Sequence, residues 1–295
     1  MTELRILQEI TQYQNDFFNT FARIFTFIGN EEFYFLMIPF VYWTLSRRIG
    51  FSLFYVFLLS AFVNSFIKIT MAIPRPVGTE GIESIFVESA EVGSHYPNDA
   101  FPSGHAQGSS ALWTYLALVV RHPLFTGFAV LLVLAISFSR LYTGLHWPSD
   151  VIAGLVIGVA IAISGYFIFL RIHKIPAIVF LIAAILIPAG MLWLLPETEG
   201  FQYGGILIGA TLGFVFQLMW LPELTETSWL RKIIAFILGI VITFSLQSGL
   251  KIVFPDPLIF EALRYAILGI WITYFAPALF LFLRLNRQKQ SIHFP

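Results

Sequence analysis

The sequence predicts an all-α protein, a polytopic transmembrane helical bundle of about nine spans with an N-terminal interfacial helix. Three observations predict it. Hydrophobic residues make up 58% of the 295-residue chain and charged residues 12%, with 32 phenylalanines; soluble domains run at about 45–50% and ~25%. The apolar residues come in runs near the ~20 residues that cross hydrocarbon as a helix. Lys and Arg gather at alternate turns, which orients such spans with the basic turns in the cytoplasm.

The first element, Leu4–Ile28, has apolar residues at helical spacing (Leu7, Ile10, then Phe17, Phe18, Phe21, Ile24, Phe25) interrupted by Asn15, Asp16, Asn19 and Arg23. That pattern suits an amphipathic helix or re-entrant piece at the interface, making 1–30 a separate segment, with a first span that begins nearer 17 as the other reading. No basic stretch leads into an apolar core near Met1, so no cleavable signal peptide is expected. Spans follow at about 31–46, 51–72, 104–120, 124–140 and 150–170, forming a core over 31–172. Four more, at about 175–195, 203–221, 232–250 and 261–284, form an extension over 173–295. Arg47/Arg48, Arg121, Arg171/Lys174, Arg231/Lys232 and Arg284/Arg287/Lys289 lie on one side. Glu80, Glu83, Glu88, Glu91, Asp99, Glu197 and Glu199 lie on the other. Gly154/Gly158 and Gly205/Gly209/Gly213 have helix-packing spacing; packing within the bundle is the ordinary reading, a homodimer seam the other.

Composition also excludes some functions. Seventeen basic residues balance seventeen acidic ones, so no basic excess argues for nucleic acid. The absence of cysteine excludes disulfides, thiolate metal sites and a Cys nucleophile.

Three polar segments fall on the outer, acidic face when crossings are counted. They are Lys68 to Pro76, Pro102-Ser103-Gly104-His105, and Ser139 to Asp150. Singly, each residue has an ordinary reading: Lys68 as a snorkelling side chain, Arg140 as a span-end anchor, His105 as an interfacial polar group, Asp150 as a helix cap. Together, Lys68, Arg75 and Arg140 are cations that can meet one anion, since ionised groups near a bilayer need a function or a counter-charge. Ser103 and Gly104 open a helix whose free N–H groups favour an anion. Asp150, four residues beyond His146, can reach back to one imidazole nitrogen and raise the basicity of the other. His105 is a second imidazole, suited to protonate a leaving oxygen. No metal cluster or other cofactor accompanies these residues, and none is expected.

These segments resemble the three-part signature of the type 2 phosphatidic acid phosphatase superfamily: Lys-x6-Arg-Pro, Pro-Ser-Gly-His, and Ser-Arg-x5-His-x3-Asp. Lys68, Arg75, Pro76, Pro102, Ser103, Gly104, His105, Ser139, Arg140, His146 and Asp150 match every position. The resemblance implies that Lys68, Arg75, Arg140, Ser103 and Gly104 bind phosphate. It implies that His146 attacks phosphorus to form a phosphohistidine, Asp150 orients it, and His105 serves the leaving group without a metal. The related vanadium haloperoxidases are soluble, and membrane composition argues against that branch.

A lipid tail could stay in the bilayer while its phosphate enters between spans. That suits phosphatidic acid, phosphatidylglycerol phosphate, undecaprenyl diphosphate or a sphingoid phosphate. With the four extra spans the total is nine, and nine spans with an outward or lumenal site resemble sphingosine-1-phosphate phosphatases and glucose-6-phosphatase. The acidic loop from Val77 to Phe101 is expected over the site, as a solvated loop or a lid. Two other readings keep the same residues: a phosphotransferase, or a non-hydrolytic lipid phosphate carrier or scramblase. The bilayer is expected to be a bacterial plasma membrane with the site facing outside.

Overall fold

The computed structural model describes residues 2–86, 95–172, 177–222, 224–225 and 227–288. Glu88, Glu91, Lys174 and Lys289, used above for orientation, lie outside the described residues. The chain divides into two compact units, one of residues 1–37 and 52–173, the other of 38–51 and 174–295.

The N-terminal segment is two helices, α1 (Glu3–Thr11) and α2 (Asp16–Ile28). Asn15 separates them, its side chain accepting from the N–H of Phe18 and so capping α2. Helix α3 (Glu31–Phe40) runs into a π-helical turn, Val41–Leu45. Next come α4 (Arg47–Met71), α5 (Gly104–Val120), α6 (Pro123–Tyr142) and α7 (Pro148–Arg171). Then come α8 (Ala177–Leu194), α9 (Thr198–Trp220), α10 (Trp229–Val253) and α11 (Leu258–Ile270). A second π turn, Trp271–Phe275, leads into α12 (Ala276–Phe282).

Among the described residues, six helical segments are long and apolar enough to cross a membrane: α4, α6, α7, α9, α10 and Leu258–Phe282. A seventh span arises if α2 and Glu31–Leu45, bent by 51° at their break, count as one. The nine sequence spans also included α5, which has 17 residues, and α8, whose shorter apolar stretch is Ile182–Leu194. Helix α2 leaves Phe17, Phe18, Phe21, Ile24 and Phe27 exposed, while Ala22 and Thr26 are buried, and the helix packs on α6.

In the first unit α5 is central, with Ala106, Gln107, Ser109 to Trp113, Tyr115 and Leu116 buried. Helix α7 approaches it through Gly154 and Gly158. A Cβ at Gly158 would stand 2.3 Å from the Gln107 carbonyl oxygen, and one at Gly154 would stand 2.7 Å from that of Ser103. This contact between backbones is what positions the start of α5 beside the start of α7. A buried amide pair ties α4 to α5. The Asn64 amide donates to the Gln107 oxygen (2.9 Å), and the Gln107 amide donates to the Ser60 carbonyl (2.7 Å).

In the second unit α9 packs on α11. The glycine repeat faces Ala262 and Ala266, whose carbonyl oxygens a Cβ at Gly205 or Gly209 would meet at 2.2 and 1.9 Å. Both glycine repeats are therefore filled by helices of the same chain. The two π turns meet here, where Trp43 Nε1 donates to the Ile272 carbonyl (2.8 Å) and the Tyr42 hydroxyl bonds the Gln217 side chain. One two-residue antiparallel pairing joins Leu224–Thr225 to Arg287–Gln288.

Candidate active site

The first unit brings the three polar segments to the ends of α4, α5, α6 and α7. Lys68 lies in the last turn of α4, and its ammonium is 3.8 Å from where a Cβ on Gly104 would be. Ser103 is the N-cap of α5, and its N–H donates to the Asp150 carbonyl (3.0 Å). The Ser103 hydroxyl is buried and makes no hydrogen bond within the protein, nor does His105 Nε2 or Arg140 Nε. A buried polar group without a partner costs about 1–3 kcal/mol. These donors and the opening amides of α5 suit an oxyanion.

Arg140 is 1% exposed. Its Nη1 donates to the hydroxyl of Thr26 (3.2 Å), which lies 3.3 Å from the Ser139 hydroxyl. Helix α2 therefore holds one of the three cations. It also backs His105, whose Cδ2 lies 3.2 Å from where a Cβ on Gly29 would be.

Arg75 follows α4 and is buried. Its Nε and Nη2 donate to the two Asp99 carboxylate oxygens at 2.7 and 2.8 Å. Its Nη1 lies 3.4 Å from both the Leu145 carbonyl and His146 Nε2. Burial works against the Asp99 charge, but the Arg75 hydrogen bonds and the charges of Lys68 and Arg75 hold its carboxyl below the usual range.

His146 sits in the turn between α6 and α7, 1% exposed. Its Nδ1 is 2.9 Å from the Ala100 carbonyl oxygen and 3.5 Å from Asp150 Oδ2. A carbonyl can only accept, so Nδ1 carries the proton and Nε2 keeps its lone pair. Burial first, then the charges of Arg75, Arg140 and Lys68 and the His105 imidazole, hold His146 well below its ordinary pKa of 6.5. The nearer contact of Asp150 is Trp147, whose N–H donates to Oδ2 at 2.7 Å at the start of α7. The carboxylate thus caps that helix and stands beside the imidazole.

The His146 turn is itself held. Gly144 has φ +64°, and a Cβ there would stand 2.6 Å from the Glu83 carbonyl oxygen. The N–H of Ile85 donates to the Thr143 carbonyl (2.9 Å), and the Ser84 hydroxyl to that of Gly144 (3.0 Å). From α1, the Gln8 and Gln14 amides donate to the Glu80 and Glu83 carbonyls. The described start of the acidic loop is therefore strapped against the site.

The eight residues that sequence reasoning singled out lie at these converging helix ends; Asp99, Thr26 and the Ala100 carbonyl, which contact them, were not among those residues. Asp99 was one acid among several in a loop, and Thr26 one polar residue in an amphipathic helix. No spacing rule marks a backbone carbonyl.

Comparison with known proteins gives two adjoining family matches. Residues 49–175 match the PAP2 superfamily, and residues 201–289 match the PAP2 superfamily phosphatase transmembrane extension. The chain is 28% identical over 171 residues to a probable sphingosine-1-phosphate phosphatase of Dictyostelium discoideum, covering 53% of this chain and 40% of that one. It is 31% identical to a lipid A 4'-phosphatase of Bacteroides thetaiotaomicron, over 39% of this chain and 49% of the relative. It is 32% identical to an undecaprenyl-diphosphatase of Sulfolobus acidocaldarius, over 38% and 52%. The matched stretch thus spans about half, or less, of the length of these curated relatives.

Proposed function

The chain belongs to the PAP2 superfamily, and on that premise we propose that this integral membrane protein is a phosphatase hydrolysing a lipid phosphate or diphosphate. The observation that carries this reading is the state of His146. Its Nδ1–H is tied to a carbonyl, and its basic Nε2 stands 3.4 Å from Arg75 Nη1 in a field of three cations.

In this reading Nε2 attacks phosphorus in line with the leaving oxygen. The N–P bond forms as the P–O bond breaks, and His105 gives its proton to the leaving oxygen. The Lys68, Arg75 and Arg140 charges, the Ser103 hydroxyl and the α5 amides stabilise the charge on the equatorial oxygens. Water then attacks the phosphohistidine, giving its proton to His105 and releasing phosphate. Asp150 stabilises the His146 turn and the charge that develops on its ring. The site faces the non-cytoplasmic side of a bacterial plasma membrane, since the basic turns occupy the opposite side of the sequence-derived topology.

The three relatives carry the names of a sphingoid phosphate, a lipid A phosphate and a polyprenyl diphosphate. Amphipathic phosphates are thus the substrate class to test. The experiment is phosphate release by purified protein from phosphatidic acid, phosphatidylglycerol phosphate, undecaprenyl diphosphate, lipid A, sphingosine-1-phosphate and glucose-6-phosphate, with His146→Ala as blank. Release from a lipid substrate, with a ³²P-labelled acid-labile enzyme intermediate absent from the blank, is expected. No release from any of them would overturn the reading in favour of a phosphotransferase or a carrier.

A further inference from the structure

We propose that Asp99 is a positioning residue: it holds Arg75 so that Nη1 is aimed at the phosphoryl group on His146. The inference rests on the phosphatase reading above and adds a residue outside the three signature segments.

An unrestrained guanidinium offers five N–H donors and grips phosphate or carboxylate with two at once. Here the Nε/Nη2 fork is already occupied. Nε and Nη2 meet both Asp99 oxygens at 2.7 and 2.8 Å, with the two side chains 4% and 3% exposed. Three N–H groups remain, one on Nη2 and two on Nη1, and Nη1 stands 3.4 Å from His146 Nε2 and is steadied by the Leu145 carbonyl. Arg75 therefore presents its Nη1 end to the attacking nitrogen, with its plane set by Asp99.

The carboxylate is itself fixed. The N–H of Arg75 donates to the Pro97 carbonyl (2.9 Å), and the N–H of Ala100 donates to the Ile73 carbonyl (3.0 Å). The next carbonyl, that of Ala100, receives His146 Nδ1–H. Residues 97–100 thus form a strut that holds the nucleophile by its backbone and the cation by its side chain. Asp99 also neutralises one of three clustered cations before substrate arrives, which answers the need for a counter-charge without occupying Lys68 or Arg140.

A donor aligned with the position of the equatorial oxygens during transfer acts mainly on the transition state. Asp99→Asn keeps the shape but loses the charged fork. Its expected effect is a fall in kcat of roughly 10- to 100-fold with KM within about 3-fold, the scale of a displaced catalytic group. Orthovanadate, which mimics the five-coordinate phosphorus, should bind more weakly by a similar factor in calorimetry.

The loss should depend on Arg75. In an Arg75→Lys background, which cannot form the fork, Asp99→Asn should cost less than about 3-fold. A merely structural Asp99 would lower the melting temperature and reduce activity equally in both backgrounds, and that result overturns the proposal. So does an Asp99→Asn enzyme with wild-type kcat and vanadate affinity. If Asp99→Asn does not survive purification, Asp99→Glu carries the test. It keeps the charge but lengthens the arm, so it should fold and show the same kcat and vanadate losses; wild-type values would overturn the idea. If wild type binds orthovanadate yet hydrolyses no lipid phosphate, the phosphatase reading fails alone and the vanadate comparison still decides Asp99.

Discussion

His146 directs Nδ1 at the Ala100 carbonyl oxygen, 2.9 Å away. This contact selects the tautomer, because the carbonyl has no proton to give. The basic nitrogen is left on the side of Arg75, and Asp150, at 3.5 Å from Nδ1, adds charge to an orientation that backbone already sets. Replacing His146 by Ala should lower turnover by about 10³-fold or more. The melting temperature in detergent should stay near wild type. Retained phosphate release would remove His146 as the nucleophile.

Asp150 has two separable jobs. Its oxygen accepts the Trp147 N–H at 2.7 Å, and its charge stands beside the His146 ring. Asp150→Asn keeps an acceptor and should melt near wild type while losing kcat by roughly 10-fold or more. Asp150→Ala should lose the cap as well, at about 1 kcal/mol. Equal activity in Asn and wild type would confine Asp150 to capping.

The pH dependence follows from His146. Its pKa in the folded protein lies well below 6.5, while the unfolded chain titrates near that value. Between the two, the unfolded state binds more protons, so stability falls as pH drops below about 6.5 and is recovered above it. The acid limb of kcat/KM due to this residue should likewise lie below pH 6.5. Melts at pH 7.5 and 5.5 and a pH–rate profile test both; a limb at or above 6.5 assigned to His146 would contradict the site electrostatics.

Thr26 holds Arg140 from outside the stretch 49–175 that matches the superfamily. Thr26→Val preserves shape and removes the acceptor. Loss of one hydrogen bond to a charged group, about 1.5 kcal/mol, corresponds to roughly 10-fold in kcat/KM. Wild-type kinetics in this variant would make α2 a packing element only.

In the proposed mechanism Lys68, Arg75, Arg140 and the α5 amides neutralise the phosphoryl charge without a metal. Activity is expected to survive excess EDTA. A complete loss that Mg²⁺ or Zn²⁺ restores would require a metal-dependent mechanism.

The α5–α7 contact should tolerate no side chain at Gly158, where a Cβ would stand 2.3 Å from a backbone oxygen. Gly158→Val should destabilise the first unit by about 3 kcal/mol, read as a lower melting temperature or loss of monodisperse protein in gel filtration.

The sequence by itself determined the membrane class, the helical architecture and the three-part signature. Hydrophobic run length follows from bilayer thickness, and Lys68, Arg75, His105, Arg140, His146 and Asp150 stand at spacings that few other chemistries need. Packing of the glycine repeats was legible too, because small residues four apart create a groove wherever the partner helix lies. Tertiary structure alone decided the rest. Asp99 looks like Glu80 or Glu83 until the turn at residues 97–100 folds against Arg75. Thr26 gains its role only when α2 packs across more than a hundred residues of chain onto α6. The Ala100 carbonyl belongs to every residue type and has no letter in a sequence. Each is a long-range contact whose meaning depends on where another segment's charge or proton lies. Local pattern records a residue's chemistry; only the fold supplies its partner.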